Sequence, residues 1–178
     1  MKHPPSNLAM QKENGKRLED VSLRGLRPDD NPVIAGIIRS CLSEFGADRP
    51  GTVFTDPTTD DLYHLFMQEG ARYFIADHPA GILGGGGIYP SKGLTHDTCE
   101  LVKMYLKPEA RGIGLGRHLI AACIEEAGRM GYRHVYIETM PELRQAVSIY
   151  ERFGFRYLDG PMGDTGHFGC DVWMLLEL

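Results

Sequence analysis

The chain has 178 residues, of which 42% are hydrophobic and 24% charged; that is enough apolar material for one domain with a real core, and it excludes a chain that stays disordered for lack of one. A net charge of -5 speaks against a nucleic-acid-binding surface, and no apolar run approaches the roughly eighteen residues needed to span a bilayer. The four cysteines, Cys41, Cys99, Cys123 and Cys170, form no C-x-x-C pair and the seven histidines are dispersed, so no spacing calls for a metal.

Residues 1–17 are polar, hold two prolines and lack the apolar stretch of an export signal. They read as a mobile tail ahead of a single domain over 18–178. With no such signal, reduced thiols and a cytoplasmic location are expected.

Val21 to Leu26 is predicted as the first strand, broken by Pro28-Asp29-Asp30. A helix follows over about Pro32 to Glu44, with Ile34, Ile37, Ile38, Cys41 and Leu42 on one face. A second, shorter helix is expected over about Thr59 to Glu69, stopped by Gly70. Arg72 to Asp77 and Ile82 to Tyr89 form a hairpin about His78-Pro79-Ala80-Gly81, and Cys99 to Leu106 is the next strand. Four glycines, Gly84 to Gly87, fall inside the hairpin. No helix follows them directly, so they read as a strand that lets another backbone or a ligand come close.

Pro108 to Gly116 leads into a helix reaching Met130, with Leu115, Leu119, Ile120, Cys123, Ile124 and Ala127 on a broad apolar face. His134 to Thr139 is a strand. Thr139-Met140-Pro141-Glu142 has the form of a capping box starting a helix through Phe153, and Gly154 closes it. Phe155 to Leu158 and Cys170 to Leu175 are the last strands. The expected architecture is α/β (α+β): a mixed sheet covered by helices on both faces.

The stretch richest in chemistry is Arg111-Gly112-Ile113-Gly114-Leu115-Gly116. Glycines at a helix start let backbone approach a ligand, and the first amides of the helix carry unpaired N–H groups and the positive end of its dipole. Such a turn suits a pyrophosphate; it can equally be a tight strand-to-helix connection with no ligand. Lys103, Lys107, Arg111 and Arg117 outnumber Glu109 here, which predicts a locally positive field. The Walker A pattern fails for want of Lys-Ser/Thr, and the dinucleotide fingerprint fails because Arg117 stands where it needs a third glycine.

Three motifs in order then resemble the GNAT superfamily of acyl-CoA-dependent N-acyltransferases. Arg111-x-x-Gly114-x-Gly116 is similar to its coenzyme loop. Glu100-Leu-Val-Lys-Met-Tyr-Leu-Lys-Pro108 is similar to its fourth strand. Ala146-x-x-x-Tyr150-Glu-Arg-Phe-Gly154-Phe155 is similar to its later A-x-x-x-Y-x-x-x-G-F element. The resemblance implies a mostly antiparallel sheet of six to seven strands with about four helices. It also implies acetyl-CoA as co-substrate and no metal. The acceptor would be the amine of a small molecule or peptide, with no role for nucleic acid or membrane. Homodimers are common in the family, although no residue here requires one.

Carried over residue by residue, the resemblance assigns the pyrophosphate to the loop from Arg111 through Gly112, Ile113, Gly114, Leu115 and Gly116 to Arg117. The pantetheine arm would lie along the backbone of Met104, Tyr105 and Leu106, where the strand splays from the next. The main-chain N–H near Met104 would face the thioester oxygen. An alkyl amine titrates near about 10.4, so a base must free it for attack. Glu100, eleven residues before Arg111, is the first candidate; a strand-end carboxylate in a salt bridge is the plainer alternative. Glu138 is the rival base. Tyr150 holds the family's general-acid position, facing a thiolate whose parent thiol titrates near about 8.5; a core aromatic is the alternative there. The sequence departs from the family at Leu143, where many members carry an Asn that touches the coenzyme.

The resemblance also implies an acceptor site lined by the first two helices with their connecting loop, about Ser40 to Leu65, and by the glycine-rich segment Asp159 to Asp171, which includes His167 and Phe168. That segment reads equally as a shaped wall or as a flexible hairpin loop. His96 reads as a solvated loop residue. The competing functional reading is a non-catalytic acyl-CoA-binding or sensing module.

Overall fold

In the computed structural model, which describes residues 17–166 and 168–178, the described chain forms a seven-stranded sheet in the order β1-β2-β3-β4-β5-β7-β6. The elements are β1 (Ser22–Gly25), α1 (Asn31–Glu44), α2 (Leu62–Leu65), β2 (Arg72–His78), β3 (Gly81–Tyr89), β4 (Thr98–Leu106), α3 (Leu115–Arg129), β5 (His134–Thr139), α4 (Arg144–Arg152), β6 (Arg156–Tyr157) and β7 (Val172–Glu177). Every neighbouring pair is antiparallel except β4 and β5. That parallel pair needs a crossover, which α3 supplies. The expected strand count, the four helices and their order all hold.

The two faces are covered by different helices. On one, Ile34, Ile37, Ile38, Cys41 and Leu42 of α1 pack on Tyr73 and Ile75 of β2. On the other, Ile120, Cys123 and Ala127 of α3 and Tyr150 of α4 pack on Cys99, Leu101, Val135 and Ile137. Because side chains alternate along a strand, Glu100, Tyr136 and Glu138 are left on the α1 side.

Three expected elements come out differently. The second helix is a single turn, Leu62–Leu65, preceded by a 3-10 turn at Pro57–Asp60. Asp56 caps that turn by accepting from the Thr58 N–H at 2.9 Å, and Asp61 leaves helical angles, so no longer helix forms. The capping box before α4 is absent. Thr139 is the last residue of β5, Pro141–Leu143 make a 3-10 turn, and the Glu142 carboxylate is held by Arg49 at 2.6 Å rather than reaching back to the backbone. The strand expected from Phe155 to Leu158 shortens to two residues, followed by a bond from the Leu158 N–H to the Trp173 carbonyl at 2.9 Å.

The glycine run has a packing role. Gly84 to Gly87 are buried in β3, and a Cβ on Gly85 would stand 2.6 Å from both the Phe74 carbonyl oxygen and the Tyr73 ring. The strand is bare so that Tyr73 can lie across it and donate its hydroxyl to the Lys103 carbonyl at 2.9 Å. Gly85→Val should therefore cost about 1–3 kcal/mol by overpacking against rigid backbone. The check is urea unfolding, with a lower midpoint at unchanged m.

Candidate active site

β4 and β5 begin as neighbours and then part. They pair only at Thr98, Cys99 and Glu100, opposite His134, Val135 and Tyr136. Beyond Glu100, β4 stays with β3 alone, and even that pairing is interrupted. Gly87 faces Val102 and Gly85 faces Tyr105, so Lys103 and Met104 together oppose Gly86. This is a β-bulge. Lys103 takes φ +51, the one positive φ outside glycine among the described residues. Simple alternation would send Lys103 to the α3 side with Leu101. The bulge turns it to the α1 side, where its buried Nζ donates to Asp56 at 2.7 Å and to the Thr59 hydroxyl at 3.1 Å.

Where the strands part lies a cleft of about 750 Å³, well within the range of small-molecule sites. Glu100 and Tyr150, the expected base and acid, both line it. So do Met104, Tyr105, Leu106, Arg111, Gly112, Gly114, Gly116 and Arg117. Two of the expected loop residues do not: Leu115 is buried beneath the loop, and Ile113 packs beside it on the same apolar cluster. The turn needs its glycines at two positions, with Gly112 at φ +79 and Gly114 at φ +89. Gly114 is the N-cap of α3, so the first helical amides, unpaired within the helix, stand where Gly114 and Gly116 line the cleft.

The expected positive field must be redrawn. Lys103 is buried against Asp56. The Arg111 guanidinium grips Glu44 through two bonds of 2.7 and 2.8 Å, donates to the Leu106 carbonyl at 3.0 Å, and stacks on Phe45. Arg111 therefore clips the loop to α1. The exposed cations on the cleft wall are Arg117 and, from α4, Arg144 and Arg152. Sequence reasoning missed the last two. Arg144 lies outside the matched motif, and Arg152 stands inside it at a position to which the resemblance assigns no role.

On the α1 side, Glu100 is 3% exposed and accepts from the Ser91 hydroxyl. Glu138 accepts from the Tyr136 hydroxyl at 2.8 Å and from the Thr165 hydroxyl at 2.6 Å, while the Tyr136 oxygen also receives the Met162 N–H at 3.0 Å. These bonds dock the glycine-rich segment on β5. The Asp164 N–H on the Lys92 carbonyl and the Gly169 N–H on the Gly51 carbonyl, both 2.8 Å, hold its middle and its later part. The segment thus forms a wall beside the carboxylates; its His167 lies outside the described residues, and Phe168 is exposed. His96 is exposed as expected. Burial raises the Tyr150 phenol well above its ordinary value, which keeps its proton in place at neutral pH. Burial likewise raises all four cysteines, which are free thiols.

Among the described residues, no group of three His, Cys, Asp or Glu side chains could hold a metal, and no helix is long and apolar enough to cross a membrane.

The sequence model of the acetyltransferase (GNAT) family matches residues 38–155. YjgM of Escherichia coli, described as an uncharacterized N-acetyltransferase, is 42% identical over 158 residues, covering 88% of this chain and 94% of that protein. A GNAT-family acetyltransferase from Staphylococcus aureus superposes at TM-score 0.74 and 18% identity, over 88% of this chain and 98% of that one. The protein yncA of Salmonella typhimurium, assigned as an acetyltransferase and solved with its cofactor acetyl-CoA, gives TM-score 0.69 at 19% identity, over 88% and 93%.

The bulge lysine leaves a signature in stability. Burial lowers the Lys103 pKa, with the Asp56 charge pulling the other way. The unfolded chain then keeps that proton to a higher pH than the folded one. This residue's contribution to stability therefore rises as pH climbs from the lowered folded value to the ordinary lysine value. Unfolding free energies of wild type and Lys103→Met, measured across the alkaline range, should diverge in favour of wild type as pH increases. A constant difference would contradict the lowered pKa.

Proposed function

The chain belongs to the acetyltransferase (GNAT) family, and from that premise we propose that it transfers an acetyl group from acetyl-CoA to a primary amine of a small molecule or peptide by direct attack. The observation that carries this reading is that Glu100 and Tyr150 reach one cleft from opposite faces of the sheet, at the point where β4 leaves β5. The glycine loop and the arginines Arg117, Arg144 and Arg152 line the same cleft.

In this mechanism the acceptor arrives as an ammonium ion and Glu100 takes one proton from it. The free amine attacks the thioester carbon; a C–N bond forms and the carbonyl pair moves onto oxygen. The main-chain N–H near Met104 is the donor assigned to that developing charge. Collapse restores the carbonyl and breaks the C–S bond. The departing sulfur gains a proton with Tyr150 as donor; nitrogen gives up its second proton, which restores the Tyr150 phenol by way of solvent, and Glu100 releases the first to bulk water. The phenol holds its proton at neutral pH and so has one to give. Glu100 is preferred over Glu138 as base. Both oxygens of Glu138 receive hydroxyls that dock the loop on the acceptor side, which makes Glu138 the anchor of that wall. The loop Arg111 to Arg117 is assigned to the pyrophosphate and the backbone of Met104, Tyr105 and Leu106 to the pantetheine arm. The Arg111 side chain is not assigned to phosphate, because Glu44 already holds it.

Glu100→Gln and Tyr150→Phe should each lower kcat by about a hundredfold or more while the KM for acetyl-CoA holds. The assay is coenzyme A thiol release with a panel of polyamines, amino acids, aminoglycosides and peptide N-termini as acceptors. Dependence on one amine class would name the acceptor. Variants with full kcat would remove the two residues from the chemistry.

A further inference from the structure

Glu100 is not held by its own strand alone. Its Oε2 accepts from the hydroxyl of Ser91, a half-buried residue just past the end of β3. Tyr89, the last residue of β3, pairs with Glu100 across the ladder, so the chain leaving β3 passes beside the carboxylate. Ser91 is fixed there in a tight turn. Its N–H donates to the Tyr89 carbonyl at 2.9 Å, and its carbonyl receives the Leu94 N–H at 3.2 Å. Ser91 is not among the residues that line the cleft; it touches the carboxylate and not the space where substrates would lie.

The same turn is stitched to the wall formed by the glycine-rich segment. Gly93 and Gly163 meet backbone to backbone. A Cβ on Gly93 would stand 2.8 Å from the Gly163 Cα, and a Cβ on Gly163, itself at φ +73, would stand 2.8 Å from the Lys92 carbonyl oxygen. Neither position has room for a side chain. The Asp164 N–H on the Lys92 carbonyl closes the contact, and Lys92 Nζ meets the Asp164 carboxylate at 2.6 Å on the exposed side. The next residue of the wall, Thr165, donates to Glu138. Two loops whose contact residues Lys92 and Asp164 are 72 positions apart thus each deliver one hydroxyl to one carboxylate of the site, from a shared backbone contact.

A general base works only when its oxygen points at the proton it takes. A glutamate side chain is long and rotatable, so its carboxylate settles where donors hold it. The Ser91 hydroxyl is neutral and can hold one oxygen without cancelling the charge. We propose that Ser91 is a positioning residue for the acyl transfer. Its hydroxyl orients the Glu100 carboxylate toward the acceptor amine, and the Gly93–Gly163 contact keeps that hydroxyl in place, so that base and acceptor wall are set together. This rests on the reading of Glu100 as the base.

Turnover of the full chain, read as coenzyme A thiol release with the most active amine of the panel above, tests the role. Ser91→Ala should lower kcat by about tenfold, the scale of one hydrogen bond to a charged group, while the KM for acetyl-CoA holds. Ser91→Thr keeps a hydroxyl and should recover most of the rate. In a Glu100→Gln background Ser91→Ala should change nothing further, because the group it orients is gone. Gly163→Ala should reproduce the kcat loss from outside the site, and together with Ser91→Ala should cost less than the product of the two. A crystal structure of Ser91→Ala reads the orientation with no acceptor present: the Glu100 carboxylate should be turned, with β4 unmoved. An unmoved carboxylate would overturn the proposal, as would full kcat in Ser91→Ala or an equal loss in the Glu100→Gln background. A KM for acetyl-CoA that rises with the fall in kcat would mean general damage and overturn it too. Full activity in Glu100→Gln itself would refute the base assignment beneath it.

Discussion

Everything at the candidate site depends on the bulge in β4. A strand that alternated regularly past Glu100 could continue beside β5 and close the gap. Instead Lys103 takes a left-handed backbone conformation, which costs on the order of 1 kcal/mol for a residue with a Cβ. Two side-chain contacts hold it there. The Tyr73 hydroxyl bonds its carbonyl, and its ammonium is sealed against Asp56 and Thr59. The first contact requires β3 to be bare glycine beneath the Tyr73 ring. The second ties the segment before α2 to the sheet. The Gly84 to Gly87 run, the bulge and the cleft are thus one arrangement, in which removing side chains from one strand lets the next one bend.

Charge is distributed to the same end. The protein is acidic overall, yet the exposed arginines Arg117, Arg144 and Arg152 line the same cleft as the carboxylates near the strand junction. The cations nearest the loop in sequence are mostly committed to structure. Lys103 pairs with Asp56 and Arg111 with Glu44. A partly buried cation paired in this way offers little to a ligand, because a new partner must first displace the old one. Arg117, Arg144 and Arg152 carry the field instead, from exposed helix positions where no ion pair is seen among the described residues.

Local signals made most of the fold legible before any coordinates. Apolar periodicity located α1 and α3 to within about one or two residues at each end, and the alternation around Pro79 located the β2–β3 hairpin. The motif match brought Glu100, Met104 to Leu106 and Tyr150 to one cleft. What failed was decided by contacts between residues far apart in the chain. The Thr139-x-x-Glu142 pattern is a sound local cap, but Arg49, 93 residues away, takes the carboxylate. The segment before α2 has helical composition, but the cap at Asp56 and the angles at Asp61 break it into turns. Counting charges along the loop could not show which ones α1 would neutralise. The bulge was hidden for the same reason: nothing in Val102-Lys103-Met104 marks a left-handed residue, and its causes sit in β3 and in the loop before α2.

The acceptor side follows a similar logic. Glu100 and Glu138 stand on neighbouring strands, on the same face, yet their surroundings separate them. Glu100 is buried at the last position where β4 pairs with β5, with a serine hydroxyl on it. Glu138 takes hydroxyls from Tyr136 and Thr165, so exchanging it disturbs the loop as well as the charge. A loss of activity at Glu138 would therefore mix the effects of wall and chemistry.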